Sequence, residues 1–414
     1  MLLDLEFIRS QYPVFAEPET ARWAMFENAG GSYVPQQVID RLTQFFRYAK
    51  VQPYGMFDSS VAAGEAMDAG YACVADLINA APDELTLGPS TTMNAYVLAQ
   101  AFRSSLKPGD EIVVTNQDHE ANIGCWRRLA ADGAVIKEWQ IDPQTGELSV
   151  EDLKRLVGER TRLVCFTLCS NIVGSMHDVA AVCDIAHRAG ALAIGDGVSF
   201  APHRVIDAGA SGLDVYLFST YKTFGTHVGV MWVRPSVFET LACQGHFFND
   251  DKPRYRMNPT GPLHAEIAAL AGIGAYIDAV YAHHFGDVAV DAHQKAVRVF
   301  DLFADYEAKL ANRVLDVLRQ MPGARIIGRD TAEPGRRAAT ISVVPDQMKP
   351  SEVVRQLVGR QLSVRNGHFY AYRCVKALGI EDPEEGVIRI SIVHYNSEEE
   401  VERLAEGLKG LPTL

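Results

Sequence analysis

Between about residue 72 and residue 235, short runs of consecutive apolar residues alternate with stretches whose apolar positions recur every three or four residues. The runs Glu111–Thr115, Leu163–Leu168, Ala191–Ile194, Val215–Ser219 and Gly229–Val233 predict buried strands. Stretches between them predict amphipathic helices. In Val179–Arg188, for example, Val179, Val182, Cys183 and Ala186 share one face, and Gly190 follows as a left-handed terminator. Strand, helix and strand in series need crossover connections, so the pattern predicts an α/β domain with a mostly parallel sheet covered on both faces.

After Thr260 the pattern changes. Helical periodicity dominates from Ala265 to Met321, with one long stretch over Val290–Gln320. Strand-like runs follow at Ala324–Ile327 and Ala338–Val344, then a helix from Ser351, a short strand around Val364 and a strand over Val387–Ile392. A capping box, Ser397-Glu-Glu-Glu400, opens the last helix. The expected organisation is an arm (1–25) that packs with the small domain, a large domain (26–290) and a smaller α+β domain (291–414).

Composition narrows the function classes. The 414 residues include 39 Lys and Arg against 52 Asp and Glu, a formal net charge of −13. With 48% hydrophobic and 22% charged residues, the chain has the balance of a folded globular protein. A net acidic chain without a basic patch is repelled by phosphate backbones and anionic lipid, so neither nucleic acid nor membrane is an expected partner. No apolar run approaches the ~20 residues of a membrane span, and the first residues lack a signal-peptide pattern. Seven widely spaced cysteines, mostly in apolar segments, fit reduced thiols and a cytoplasmic location.

Candidate chemistry gathers at strand ends. Gly195-Asp-Gly197 puts a carboxylate at the carboxyl end of a buried strand, where open α/β sheets hold ligands; a helix-capping Asp fits the same place. The next apolar strand runs into Ser219-Thr-Tyr-Lys222. A lysine there is partly desolvated, which favours the neutral amine that forms a Schiff base. An Asp and a Lys on neighbouring strand ends are the pair that pyridoxal phosphate requires. The amine binds the aldehyde, and the carboxylate keeps the pyridine nitrogen protonated.

The phosphate needs a cradle as well. Leu85-Thr-Leu-Gly-Pro-Ser-Thr-Thr-Met-Asn94 reads as a short strand that breaks before the helix Met93–Phe102. Ser90, Thr91 and Thr92 at that helix start suit an anion, and equally a plain N-cap; Ser219 adds a donor. His119, after the strand Glu111–Thr115, is placed to stack on a flat ring or to serve as a satisfied loop histidine. Asn171, after Leu163–Leu168, is placed to donate to the ring's phenolic oxygen. Cys183 and His187 have metal-ligand spacing but no further ligands, and Gly272-Ile-Gly274 lies in a helical pattern, so neither a metal nor a dinucleotide is expected.

These residues resemble the class V aminotransferases, most closely the cysteine desulfurases and a desulfurase-like branch. The resemblance also rests on Asn28-Ala-Gly-Gly31, Asp118-His-Glu-Ala-Asn122, Ser170-Asn-Ile-Val-Gly-Ser175, Arg365-Asn-Gly-His368 and Arg389-Ile-Ser-Ile-Val-His-Tyr-Asn396. It implies the fold-type I architecture of pyridoxal-phosphate transferases, with a seven-stranded type of sheet, and a homodimer with sites at the interface. It makes Lys222, His119 and Asp196 catalytic. Around the cofactor it places Asn171, Ser90, Thr91, Thr92, Ser199, Ser219, Tyr221 and Thr260, the last reaching the neighbouring subunit's phosphate. Arg389 would bind the α-carboxylate of a small amino acid, with Asn28, Ala29, Gly30, Arg365, His368 and Tyr370 around it.

One departure bears on the reaction. Cysteine desulfurases carry a nucleophilic Cys on the loop where this chain has Tyr370; Cys374 lies four residues on. Without that thiol the resemblance implies C–S lyase chemistry, a β-elimination on cysteine or a cysteine derivative without an enzyme persulfide. Transamination and epimerisation are the alternatives within the family. A non-catalytic binding protein that retains the fold is the alternative of another class. Tyr370 itself reads either as a residue tuning the reaction or as a core or interface residue.

Overall fold

The structure, a computed structural model, describes residues 2–286 and 288–411. Its centre is a seven-stranded sheet. The strands are β1 (Leu85–Gly88), β2 (Glu111–Thr115), β3 (Val135–Trp139), β4 (Thr161–Thr167), β5 (Leu192–Asp196), β6 (Val215–Ser219) and β7 (Gly229–Val233). Their spatial order is β1-β7-β6-β5-β4-β2-β3. β7 is antiparallel to both of its neighbours, and the remaining pairs are parallel. β2, β6 and β7 are buried along their whole length because helices cover both faces, which is why they read as continuous apolar runs. β3 escaped the apolar pattern because it is an edge strand: Val135 is exposed, and Lys137 and Glu138 interrupt the run.

The helices behave as their caps predict. Asp178 accepts a hydrogen bond from Ala181 N at the start of the helix Val179–Arg188, and Gly190 follows it with φ +74°. One expectation needs correction. The stretch His264–Phe285, made of the successive helices His264–Ala269 and Ala271–Phe285, has the length and hydropathy of a membrane span. Its most apolar 18-residue window is 61% buried inside the molecule, so its apolar character serves the core. A Cβ on Gly272 would lie 2.5 Å from Val38 N, so this glycine admits the close approach of the helix Gln36–Tyr48.

A second sheet is antiparallel throughout, with β8 (Ala324–Ile327), β9 (Thr340–Pro345), β10 (Arg365–Gly367) and β11 (Val387–Ser391) in the order β10-β11-β9-β8. The 28-residue helix Ala292–Arg319 runs between the two layers' cores, contributing Phe300 and Phe303 to one and Leu310, Val314 and Leu318 to the other. Near the N-terminus Ala24–Met25 pairs in parallel with Leu362–Ser363 as a separate two-stranded sheet. The final helix, Glu398–Lys409, is opened by the Ser397/Glu400 capping box.

Candidate active site

Strand direction brings the chemistry to one edge. β1, β2, β4, β5 and β6 all point their carboxyl ends the same way, and Thr167 of β4 pairs with Asp196 of β5, which pairs with Leu217 of β6. A cavity of about 210 Å³ opens there, lined by Ser90, Thr91, Thr92, His119, Asn171, Asp196, Ser199, Ser219, Tyr221 and Lys222. The pattern of the chain, with Ser199 and Tyr221 added by the family resemblance, placed these ten residues together. It missed Thr167, Val198 and His227, which also line the cavity. His227 lies stacked on Tyr221, with ring centroids 4.5 Å apart, and only the chain's return into β7 brings it there.

The electrostatics suit a cationic ring facing an acid. Burial pushes the Asp196 carboxyl up to about 6, an effect that the Val198 N–H (2.8 Å from Oδ1) and the Lys222 charge oppose. A carboxylate short of solvation gains from a cation beside it, which is what a protonated pyridine nitrogen provides. Burial lowers the Lys222 amine to about 8, aided by Arg389 and opposed by Asp196 and Glu27. A substantial neutral fraction near neutral pH makes Lys222 a nucleophile and a base. Burial, then Lys222 and Arg389, hold His119 at about 3, so its ring is neutral. Its Nδ1 accepts the Ala121 N–H at 3.0 Å, which leaves the proton on Nε2.

At the other end of the cavity, Ser90 caps the helix Thr91–Arg103 by accepting from Met93 N, and the helix N-terminus faces the space. Thr91 Oγ1 lies 2.7 Å from both Phe218 O and Ser219 Oγ, which locks the start of the helix to β6. Gly229 permits the approach: a Cβ there would sit 2.2 Å from the Ser90 carbonyl carbon. Backbone N–H groups, hydroxyls and a helix dipole make a cradle for a phosphate. Imine-forming amine, pyridine acid, stacking imidazole and cradle together fit pyridoxal phosphate.

A wider cavity of about 660 Å³ continues outward, lined among others by Glu27, Ala29, Gly30, Arg365, His368, Tyr370 and Arg389. Arg389 is buried. Its Nη2 donates to Glu27 Oε1 at 2.9 Å, its Nη1 to Asn171 O at 3.4 Å, and the Phe369 ring covers its face at 3.7 Å. Nothing in the sequence signalled Glu27, since its partner is 362 positions away. The loop is pinned: Phe369 O accepts from Asn171 Nδ2 at 2.9 Å and Tyr370 O from Glu120 N at 2.8 Å. Asn171 therefore spends one of its two amide hydrogens on the loop and keeps one for the cavity.

One expected residue sits differently. Asn28 is buried with Nδ2 donating to Met25 O, Ser391 O and Asn396 Oδ1, and Oδ1 accepting from Tyr395, so its side chain braces the site and has no hydrogen free for substrate. Thr260 is exposed and lines neither cavity of its own chain; the contact expected of it is to a neighbouring subunit. Tyr370 is 69% exposed at the cavity mouth, which removes a core role for it. Cys374 is buried within the helix Tyr372–Ala377, and burial pushes its thiol up to about 12. His187, the other half of the Cys183 pair, is held by Asp214 at 2.9 Å.

The profile of the family Aminotransferase class-V matches residues 24–404. The chain belongs to this family. Aminotransferase-like protein FGM3 of Gibberella zeae is 34% identical over 98% of both chains. A cysteine desulfurase of Synechococcus elongatus is 30% identical over 99% of this chain and 64% of its own. Among solved structures, the cysteine desulfurase of Thermococcus onnurineus superposes with a TM-score of 0.84 at 24% identity, covering 99% of both chains. The cysteine desulfurase CsdA of Escherichia coli superposes with a TM-score of 0.81 at 22% identity, over 99% of this chain and 98% of its own. As a class V aminotransferase with cysteine desulfurase-like relatives, the protein is a pyridoxal-phosphate enzyme, and the donor set described above is where that cofactor fits.

Proposed function

We propose that this class V enzyme is a C–S lyase that carries out β-elimination on cysteine or a neutral cysteine derivative without storing sulfur on a protein thiol. The observation that carries the reading is the state of its thiols. The loop presents Tyr370 at the mouth, Cys374 is buried, and Cys169, the cysteine that lines the inner cavity, is pushed up to about 12 by burial. A thiol held that far above neutral pH is not the thiolate that sulfur transfer needs. Under this reading Lys222 takes the Cα proton, Asp196 holds the proton at the pyridine nitrogen, and Arg389 orients the α-carboxylate. The bound cofactor supplies the electron sink for charge left at Cα. The Cβ–S bond breaks with its electron pair leaving on sulfur. With water, cysteine gives sulfide, pyruvate and ammonia, and no oxidant or reductant is needed.

The same reading places the working unit as a homodimer in the cytoplasm. Phe46, Tyr48, Tyr54, Met56 and Phe57 are exposed along one short stretch, which supports an interface there. The test is a panel of amino acids scored for sulfide, pyruvate, ammonia and amino transfer with native protein, Cys169→Ala, Cys374→Ala and Lys222→Ala. Sulfide and pyruvate in equal amounts from the native and both cysteine variants is the expected result, with Lys222→Ala inactive and unable to bind the cofactor covalently. Alanine in place of pyruvate, loss of sulfide in a cysteine variant, or product only with a keto acid overturns it.

A further inference from the structure

Arg389, the group placed to receive a substrate carboxylate, already holds a carboxylate of the protein. Glu27 Oε1 sits between two guanidiniums, 2.9 Å from Arg389 Nη2 and 3.7 Å from Arg365 Nη1. The carboxylate is seated by design of the backbone: a Cβ on Gly30 would lie 2.6 Å from Glu27 Oε1, so glycine leaves the room. Glu27 Oε2 and Arg389 Nε are buried and have no hydrogen-bond partner among the described residues, so the pair is incomplete as it stands. The two arginines differ in freedom. The Arg389 side chain is 3% exposed and that of Arg365 is 68% exposed.

Charge arithmetic then sets what the outer cavity accepts. Two guanidiniums and one carboxylate leave a single positive charge, which one substrate carboxylate neutralises. Arriving at Arg389, it displaces Glu27 toward the exposed Arg365, and every charge is paired. A second negative charge on the substrate would find no free cation. The remaining rim carboxylates, Glu120 and Glu384, face Arg373 at 3.6 Å and His368 at 3.7 Å, so those partners are already engaged. We propose that Glu27 is the specificity-determining residue of the site and restricts its substrates to amino acids with one carboxylate and a side chain without negative charge. This rests on the family reading of Arg389 as the substrate-carboxylate residue, and it deepens the elimination proposal by naming the substrate class.

The test measures binding, not turnover, so it stands whether or not elimination is the reaction. Succinate and butyrate have the same carbon count and no amine, and they are titrated calorimetrically into the cofactor-loaded protein. Native protein is expected to bind the two alike or to prefer butyrate, and Glu27→Gln to bind succinate about tenfold more tightly than butyrate, since one arginine is then free. Glu27→Asp, which keeps the charge, should behave as native. The double variant Glu27→Gln/Arg365→Gln should lose the succinate preference, which separates selection from a general loosening of the site. A ratio unchanged in Glu27→Gln, or a succinate preference already present in the native protein, overturns the proposal. Failure of the lyase reading would instead appear as absent sulfide with this ratio still shifted.

Discussion

At the scale of single residues, the most instructive group is one that no step of the proposed reaction uses. Asp118, beside the stacking His119, is fully enclosed. Its Oδ1 accepts from Asn122 Nδ2 at 2.7 Å and its Oδ2 from the Thr115 hydroxyl, which in turn accepts from the N–H groups of Gln117 and Asp118. Burial pushes this carboxyl up to about 7 despite those donors, and Asp196 adds to the rise. Because the folded value lies above the unfolded one, ionisation costs the folded state. That cost is absent below about 4 and accumulates until the pH passes about 7. Asp118→Asn removes the ionisation, and the unpartnered Asn122 Oδ1 offers an acceptor for the new amide. Relative to native protein, the variant should gain roughly 2 kcal/mol more at pH 8 than at pH 5 in chemical denaturation. A difference that stays flat with pH would show that Asp118 does not ionise in this range. Residue roles of this kind were only half legible in the sequence. The Asp118-His-Glu-Ala-Asn122 motif was visible, but the closure over Asp118 and the pairing of Glu27 with Arg389 are products of distant segments.

Among elements, strand ends were the readable features, because a buried strand is a run of apolar residues and the polar residue that follows it marks the edge. Asp196, Lys222, Asn171, His119 and the Ser90–Thr92 turn were all found that way, and the cavity collects them. What the pattern does not carry is the direction of β7 and the closeness with which it meets the helix start. Gly229 opens β7 opposite both Gly88 and Ser219, and its carbonyl accepts from Asn94 Nδ2 at 2.9 Å. A methyl group there meets backbone atoms, Thr91 N at 2.4 Å and Ser90 O at 2.6 Å, which cannot turn aside as a side chain would. Gly229→Ala must therefore shift the Ser90–Thr91 turn and with it the N–H groups proposed to hold the phosphate. Cofactor affinity, measured by equilibrium dialysis, should fall by about tenfold or more. Affinity within about twofold of native would place the phosphate elsewhere. The edge strand β3 was missed for the opposite reason, since its exposed and charged positions imitate a loop.

In the whole molecule, the layers are joined by a buried polar chain that sequence separation conceals. His203, on the segment after β5, contacts Glu307 of the long helix at 2.6 Å between Nδ1 and Oε2. Glu307 Oε1 faces His394 Nδ1 at 4.0 Å. His394 Nε2 reaches Tyr276 OH at 2.7 Å and Tyr12 OH at 3.3 Å, and its ring stacks on Phe303 at 3.6 Å. Five segments, from the N-terminal arm to the strand-end run that carries Arg389, thus meet at one enclosed point. Burial raises the Glu307 carboxyl, with His203 opposing, and drives His394 well below its ordinary value, so His394 is neutral and serves as a hydrogen-bonding post. An enclosed hydrogen-bonded pair of this kind contributes little against an apolar replacement of both members, but losing one member strands the other. Glu307→Leu leaves His203 without its acceptor and should cost about 3 kcal/mol or more in urea unfolding. Glu307→Gln keeps an acceptor for His203 and should cost about half as much or less. Equally small losses from the two variants would mean that the contact is incidental and that shape alone joins the layers. The same comparison bears on the site, because His203 follows Ser199 of the cofactor cavity on one short segment. If Glu307 anchors that segment, Glu307→Leu should also release cofactor at lower urea than global unfolding requires, while Glu307→Gln should keep the two transitions together.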